Sequence, residues 1–193
     1  MNNRKEMKKN VNIEKQADIA GILINRAGKN RYINLDATEK LITYIAREQQ
    51  DAPDDLLLRG ALGATTFTDI NTTIHQFECV HLLHNRHGVF GRYIDHEIYS
   101  FSPSEEAALY QKNVSFTELA QRMADDFYQE GFQVYYGIHQ NDEENLHLHI
   151  HFAVNTVNFR TGKKRHEGKK ETAQRQQRLQ QIVAEAIEQI TVL

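Results

Sequence analysis

An α+β sandwich, one antiparallel sheet covered by helices, is the fold class this sequence predicts. Capped helical stripes, a pair of strand-like runs joined by a polar turn, and the interleaving of the two kinds of segment point to it. At 193 residues the chain fits one domain with room for a sizeable core.

The first helix signal is Leu35-Asp-Ala-Thr-Glu-Lys-Leu-Ile-Thr-Tyr-Ile-Ala-Arg-Glu-Gln-Gln50. Asp36 can cap it, Glu39 can complete a capping box, and Leu35 is placed for a hydrophobic staple. Asp51-Ala-Pro-Asp-Asp ends this helix and opens a polar connection. A second helix follows Thr68-Asp69, with Ile70, Ile74, Phe77, Val80 and Leu83 as its apolar stripe and His87-Gly88 as its stop. The run from His96 to Ser102 has strand composition and ends at Pro103. Ser115 with Glu118 opens another boxed helix, closed by Gly131. Strands then span 132–139 and 146–155 across the turn Gln-Asn-Asp-Glu-Glu-Asn. A basic loop with Gly162 and Gly168 leads to a final helix over 171–190.

Composition excludes some classes. No apolar run approaches the roughly 20 residues of a membrane helix. Cys79 is the only cysteine, so no intrachain disulfide forms. The basic, polar start is no signal peptide, and the expected location is the cytoplasm. A net charge of -3 weighs against a nucleic-acid binder, since affinity for DNA comes from phosphate neutralisation. The distribution weighs the other way. Arg160, Lys163, Lys164, Arg165, Lys169, Lys170, Arg175 and Arg178 are opposed only by Glu167 and Glu171, and residues 1–28 form a basic extension ahead of a domain over 29–193. Two solvated basic tails would produce the same pattern.

The stretch His139-Gln-Asn-Asp-Glu-Glu-Asn-Leu-His147-Leu-His149-Ile-His151-Phe-Ala-Val-Asn155 carries the chemistry. On a strand His147, His149 and His151 share one face, and in a hairpin His139 faces them from the neighbouring strand. Three imidazoles can converge on one cation and leave positions open for water or substrate. Packing does not explain strict alternation, and cationic imidazoles would repel one another. Asn155 shares the face and can bind DNA or order a ligand. A divalent cation is the expected cofactor, Mn or Mg first and Zn, Co or Ni as alternatives, although imidazole donors by themselves suit Mn, Co, Ni or Zn better than Mg. There is no Gly-rich phosphate loop, so no nucleotide cofactor is expected.

Tyr44 lies at the edge of the first helix's buried stripe, with Lys40 one turn before and Arg47 one turn after. Cations beside a phenol favour the phenolate and can hold a phosphate, the setting of a tyrosine nucleophile.

These features in this order resemble the relaxases of conjugative and mobilisable plasmids, in the MOBP branch. Lys40-Leu-Ile-Thr-Tyr44-Ile-Ala-Arg resembles motif I, His96-Glu-Ile-Tyr-Ser100-Phe motif II, and Asn145 to Asn155 the histidine motif III. The resemblance implies an HUH-type fold with a central antiparallel sheet, Tyr44 as nucleophile, Ser100 in contact with DNA near the nick, and a histidine-bound cation. Counting back from Asn155 selects His139, His149 and His151; counting forward from Asp142 selects His147 and His149. The first is preferred, because insertions enter a turn more easily than a strand. Asp142 or Glu97 would orient a ligand histidine or accept the phenol proton, and Lys163, Lys164 and Arg165 would hold phosphates of single-stranded DNA.

The implied activity is nicking of one strand at an origin of transfer through a 5′-phosphotyrosyl link. Hairpin and single-stranded DNA are the implied partners, with relaxosome accessory proteins and a coupling protein. The chain is expected to be a minimal relaxase or the nicking domain of a longer one. Two other classes stay open. A rolling-circle replication initiator shares the hairpin, though there the tyrosine normally follows the histidines. A DNA- or metal-binding accessory module would have no cleavage activity.

Overall fold

The computed structural model describes residues 20–26, 31–52, 54–66, 69–89, 91–140 and 148–188. Within them five strands form one sheet: β1 (Ile22–Asn25), β2 (Leu56–Leu62), β3 (Ile94–Ser100), β4 (Val134–Gln140) and β5 (Leu148–Asn155). Their order is β1-β3-β5-β4-β2, and every neighbouring pair is antiparallel. Five helices cover it: α1 (Ala37–Ile45), α2 (Ile70–Leu83), α3 (Pro103–Gln111), α4 (Phe116–Gln129) and α5 (Lys169–Glu188). The expected α+β sandwich is therefore the fold.

Strand alternation divides the core in two. Ile138, Leu148, Ile150, Phe152 and Val154 meet Leu119, Met123 and Phe127 of α4 and Leu179 and Val183 of α5 on one face. On the other, Tyr135 and Ala153 meet Leu41, Ile42 and Ile45 of α1 and Ile74 and Phe77 of α2. The central strand β5 is thus covered on both sides, and its histidines occupy the second face. No helix among the described residues is long and apolar enough to cross a membrane.

Several boundaries differ from expectation, each for a local reason. Helix α1 stops at Ile45 instead of running to residue 50. Arg47 adopts φ 56, and the bonds Arg47 N to Tyr44 O and Glu48 N to Thr43 O close a Schellman turn without the glycine that normally announces one. Asp36 stands at the N-cap but makes no capping bond, because its carboxylate pairs with Lys40 at 2.6 Å; Leu35 is exposed and forms no staple. Pro103 opens α3 rather than merely ending a strand: Ser102 and Glu105 form a full capping box around a proline at the helix start. That helix buries only Glu105 and Leu109, too weak a stripe for periodicity to reveal. Strand β2 is half-exposed along most of its length and breaks alternation at Arg59-Gly60, so it reads as a connection. Leu83, assigned to the stripe of α2, is exposed. The stop at Gly131 matches expectation, with φ 94 and bonds to Tyr128 O and Phe127 O.

His81 on α2 is buried and stacks on Tyr93 at 5.1 Å, with Nε2 donating to Tyr93 O at 3.0 Å and Nδ1 lacking a partner. Burial, then the Lys164 charge, pulls it from 6.5 to about 4. The unfolded chain takes up a proton that the folded chain refuses, so this contribution is complete above pH 6.5 and drains away as pH falls toward 4. The full effect is roughly 3 kcal/mol. Urea unfolding of wild type and His81→Gln at neutral and acidic pH should show a smaller acid loss in the variant.

Candidate active site and metal centre

The β4–β5 hairpin sets His139 directly opposite His149, and His151 opposite Gly137. On the other side of β5, Ser100 faces His149 and Ile98 faces His151. The three rings lie 4.5, 4.8 and 5.6 Å apart by centroid, and one nitrogen from each falls within 4.8 Å of the others. His139 Nε2 donates to Ile45 O at 2.8 Å, which fixes the tautomer and leaves the Nδ1 lone pair free. That Nδ1 and Nε2 of His151 are both buried without a hydrogen-bond partner. Burial, reinforced for His151 by the neighbouring imidazoles, keeps both neutral: His139 falls to about 4 and His151 lower still. Neutral imidazoles with converging, unsatisfied nitrogens form a donor set for a divalent cation of borderline softness.

An outer layer backs this set. His96 on β3 meets His151, Nε2 to Nδ1, at 2.8 Å, and its own Nδ1 meets the Tyr32 hydroxyl at 2.9 Å. With His151 Nε2 turned toward the cluster, His151 Nδ1–H donates to His96 and His96 Nδ1–H donates to Tyr32. A chain of this kind orients a ligand ring and raises its basicity. Burial first, then Arg26, holds His96 at about 4.

Tyr44 leans over the same rings. Its ring stands edge-on to His151 at 5.6 Å and to His96 at 6.1 Å, with 37% of its surface open to solvent. Arg47 lies against the ring, 5.0 Å from its centroid, gripped by Asp55 through bonds of 2.6 and 2.8 Å. Burial would push the Asp55 carboxyl up, but the Arg47 bonds and charge hold it below the usual range. Arg47 therefore flanks the tyrosine as expected, from the turn after the helix rather than from the helix itself.

Close approach of α1 to the sheet depends on Gly137. A Cβ there would sit 2.8 Å from Ile45 Cγ2 and 3.1 Å from Ile45 O.

The remaining expected residues divide. Ser100 joins the histidine face, and Lys40 stands exposed at its rim. Glu97 does not reach the cluster: it points to the opposite face, buried, and accepts from Arg165 at 2.5 Å. Arg165, expected on DNA, is itself buried among Asp95, Glu97 and Glu167. Asn155 shares the histidine face but lies under α2, donating to Phe77 O and Gln133 Oε1 and accepting from Val157 N. Lys164 is half-buried and donates to Arg92 O, whereas Lys163 is exposed. Asp142 and His147 lie outside the described residues.

Sequence reasoning overlooked Tyr32, Asp55 and Gly137. Tyr32 offered a weak signal, an aromatic in the basic run Arg31-Tyr-Ile ahead of the helix; Asp55 and Gly137 offered none.

A tyrosine over a three-histidine cluster on an antiparallel sheet has the layout of a metal-dependent DNA-nicking domain. Residues 44–187 match the relaxase family model described as MobA/VirD2-like, nuclease domain. The chain belongs to this family, in its MOBP-type branch. Its role is accordingly that of a DNA-nicking nuclease domain that uses a divalent metal. No curated protein matches the chain.

Gly137→Ala should lower stability by about 1–3 kcal/mol through overpacking against Ile45, and weaken Mn²⁺ binding by displacing the Ile45 carbonyl from His139. Thermal melts with and without Mn²⁺ measure both; an unaltered variant would mean that α1 does not rest on β4.

Proposed function

We propose that this chain nicks single-stranded DNA at the origin of transfer of a plasmid or integrative element, with Tyr44 as nucleophile and His139, His149 and His151 as the metal ligands. The observation that carries the reading is the packing of the Tyr44 ring against His151 and His96, which brings a solvent-accessible phenol to the edge of the donor set.

Tyr44 Oη attacks the scissile phosphorus, forming a phosphotyrosyl bond while the bond to the 3′ oxygen breaks. The phenol proton leaves to solvent, and the released 3′ oxygen takes one up. His139, His149 and His151 would hold a divalent cation, which when bound would supply positive charge to the scissile phosphate. His139 is held in the required tautomer by Ile45 O, and His151 by His96 and Tyr32. Arg47, anchored by Asp55, fixes the aromatic ring from one side, so its charge serves orientation more than phosphate binding. Ser100 lies beside His149, which supports a contact with the strand near the nick. Lys40 and Lys163 remain exposed cations for flanking phosphates.

Retaining the phosphodiester energy in the tyrosyl link makes rejoining available, so the same site serves recircularisation of a transferred strand. Relaxosome accessory proteins and a coupling protein would deliver the strand in the cytoplasm.

Labelled single-stranded oligonucleotides carrying the element's own transfer origin, incubated with Mn²⁺ or Mg²⁺, should leave label on the protein in a denaturing gel. Tyr44→Phe and chelator should each abolish the band. Wild-type protein that binds metal but forms no adduct on any origin strand would contradict the reading.

A further inference from the structure

Beside Tyr44 a groove of about 450 Å³ is lined by Arg26, Arg31, Tyr32, Lys40, Tyr44 and His96. No carboxylate lines it among the described residues, in a chain whose formal charge is -3. Lys40 already has a partner in Asp36. The two arginines differ from the rest of their kind. Arg47, Arg59, Arg92, Arg122, Arg165, Arg175 and Arg178 each pair with a carboxylate. Arg86 and Arg160 donate to backbone carbonyls. Among the described residues Arg26 and Arg31 have no such partner, and both line the groove beside His96 and Tyr32.

The groove is anchored to the catalytic face. Arg26 N donates to His96 O at 2.8 Å, and the Tyr32 hydroxyl meets His96 Nδ1. Tyr32 holds φ 60, a left-handed conformation costly for an aromatic residue, and its carbonyl accepts from Tyr93 N at 2.8 Å. Guanidinium groups with no carboxylate partner among the described residues, set on a concave wall, suit an anion, and the planar fork of arginine matches phosphate oxygens. Arg26, Arg31 and Tyr32 precede the region that matches the family model, which starts at Tyr44.

We propose that Arg26 and Arg31, with Lys40 at the rim, form a phosphate subsite for the DNA backbone next to the phosphate that Tyr44 attacks. The strand threads from the histidine cluster past Tyr44 into this groove, and the two arginines hold it in register for in-line attack. This rests on the relaxase reading and adds a second, metal-independent foothold for the substrate.

The test is the salt dependence of binding of a fluorescein-labelled oligodeoxythymidine to the full chain, read by anisotropy in chelator. Each phosphate contact to a single strand contributes about 0.7 to the slope of log affinity against log salt. Arg26→Ala and Arg31→Ala should each make the slope shallower by about that amount, and the double variant by about twice it. Arg26→Lys/Arg31→Lys should restore it, because lysine keeps the charge. Arg122→Ala, on the α4–α5 side of the sheet, should leave it unchanged. A wild-type slope in the double alanine variant, or an equal fall in Arg122→Ala, overturns the subsite and leaves the nicking reading intact. Failure of wild type to bind the strand at all overturns the nicking reading and the subsite with it.

Discussion

One hydrogen bond, from His139 Nε2 to the carbonyl of Ile45, joins the two parts of this molecule that have to meet. Its donor is on the strand β4 and its acceptor is the residue after Tyr44, so strand and tyrosine cannot shift independently. The missing side chain at Gly137 permits the approach. The same bond fixes which nitrogen of His139 carries the proton, and hence which one faces the cluster. Because Ile45 is fully buried in the second core, the packing of α1 on the sheet sets the position of the phenol. Arg47, held in an unfavourable backbone conformation by the Schellman turn and by Asp55, completes the fixation from solvent.

The two faces of the sheet treat polar groups in opposite ways. Beside Tyr44, on the α1–α2 face, His139 and His151 are imidazoles kept neutral by burial, each with a nitrogen left unsatisfied, an arrangement that is expensive unless something binds. On the α4–α5 face the polar residues are full charges, and nearly every one is answered. Arg165 bridges Asp95, Glu97 and Glu167, and Arg175 bridges Asp126, Glu130 and Glu167. Such a network holds α5 to the sheet through compensated charge, and removing one partner would leave another buried alone. Beside the phenol the unfilled valences are imidazole nitrogens; on the α4–α5 face Glu97 Oε2 and Arg165 Nε lack a partner, but each of these residues is held in an ion pair.

That contrast explains which parts of the site were legible in the sequence. The histidine alternation was readable because a strand has a period of two, and among the described residues the hairpin register brings His139, His149 and His151 together. Tyr44 was readable as a stripe-edge residue, and the caps of α2 and α4 held, as did the stop of α4; α2 ends at Leu83, ahead of the stop expected at His87-Gly88. Arg165 and Glu97 misled because a charge looks available until a distant residue claims it; here each claims the other across sixty-eight positions of sequence. Asn155 misled because sharing a face with the histidines says nothing about what helix lies above its end of the strand. Arg26 and Arg31 carried no motif and Tyr32 only a weak one; the pairing of β1 with β3 brings Arg26 to His96, and the bond from Tyr93 N to Tyr32 O holds Tyr32 beside it. The end of α1 was hidden because a non-glycine residue accepts the left-handed turn.

The most direct test of this account is the X-ray absorption spectrum of the full chain loaded with Co²⁺, because it reads the imidazoles around the ion independently of DNA. Scattering from three imidazoles per cobalt, falling to two in His151→Ala, is the predicted result. One imidazole or none in the wild-type protein would contradict the claim that the contact of α1 with the hairpin aims His139, His149 and His151 at a single cation.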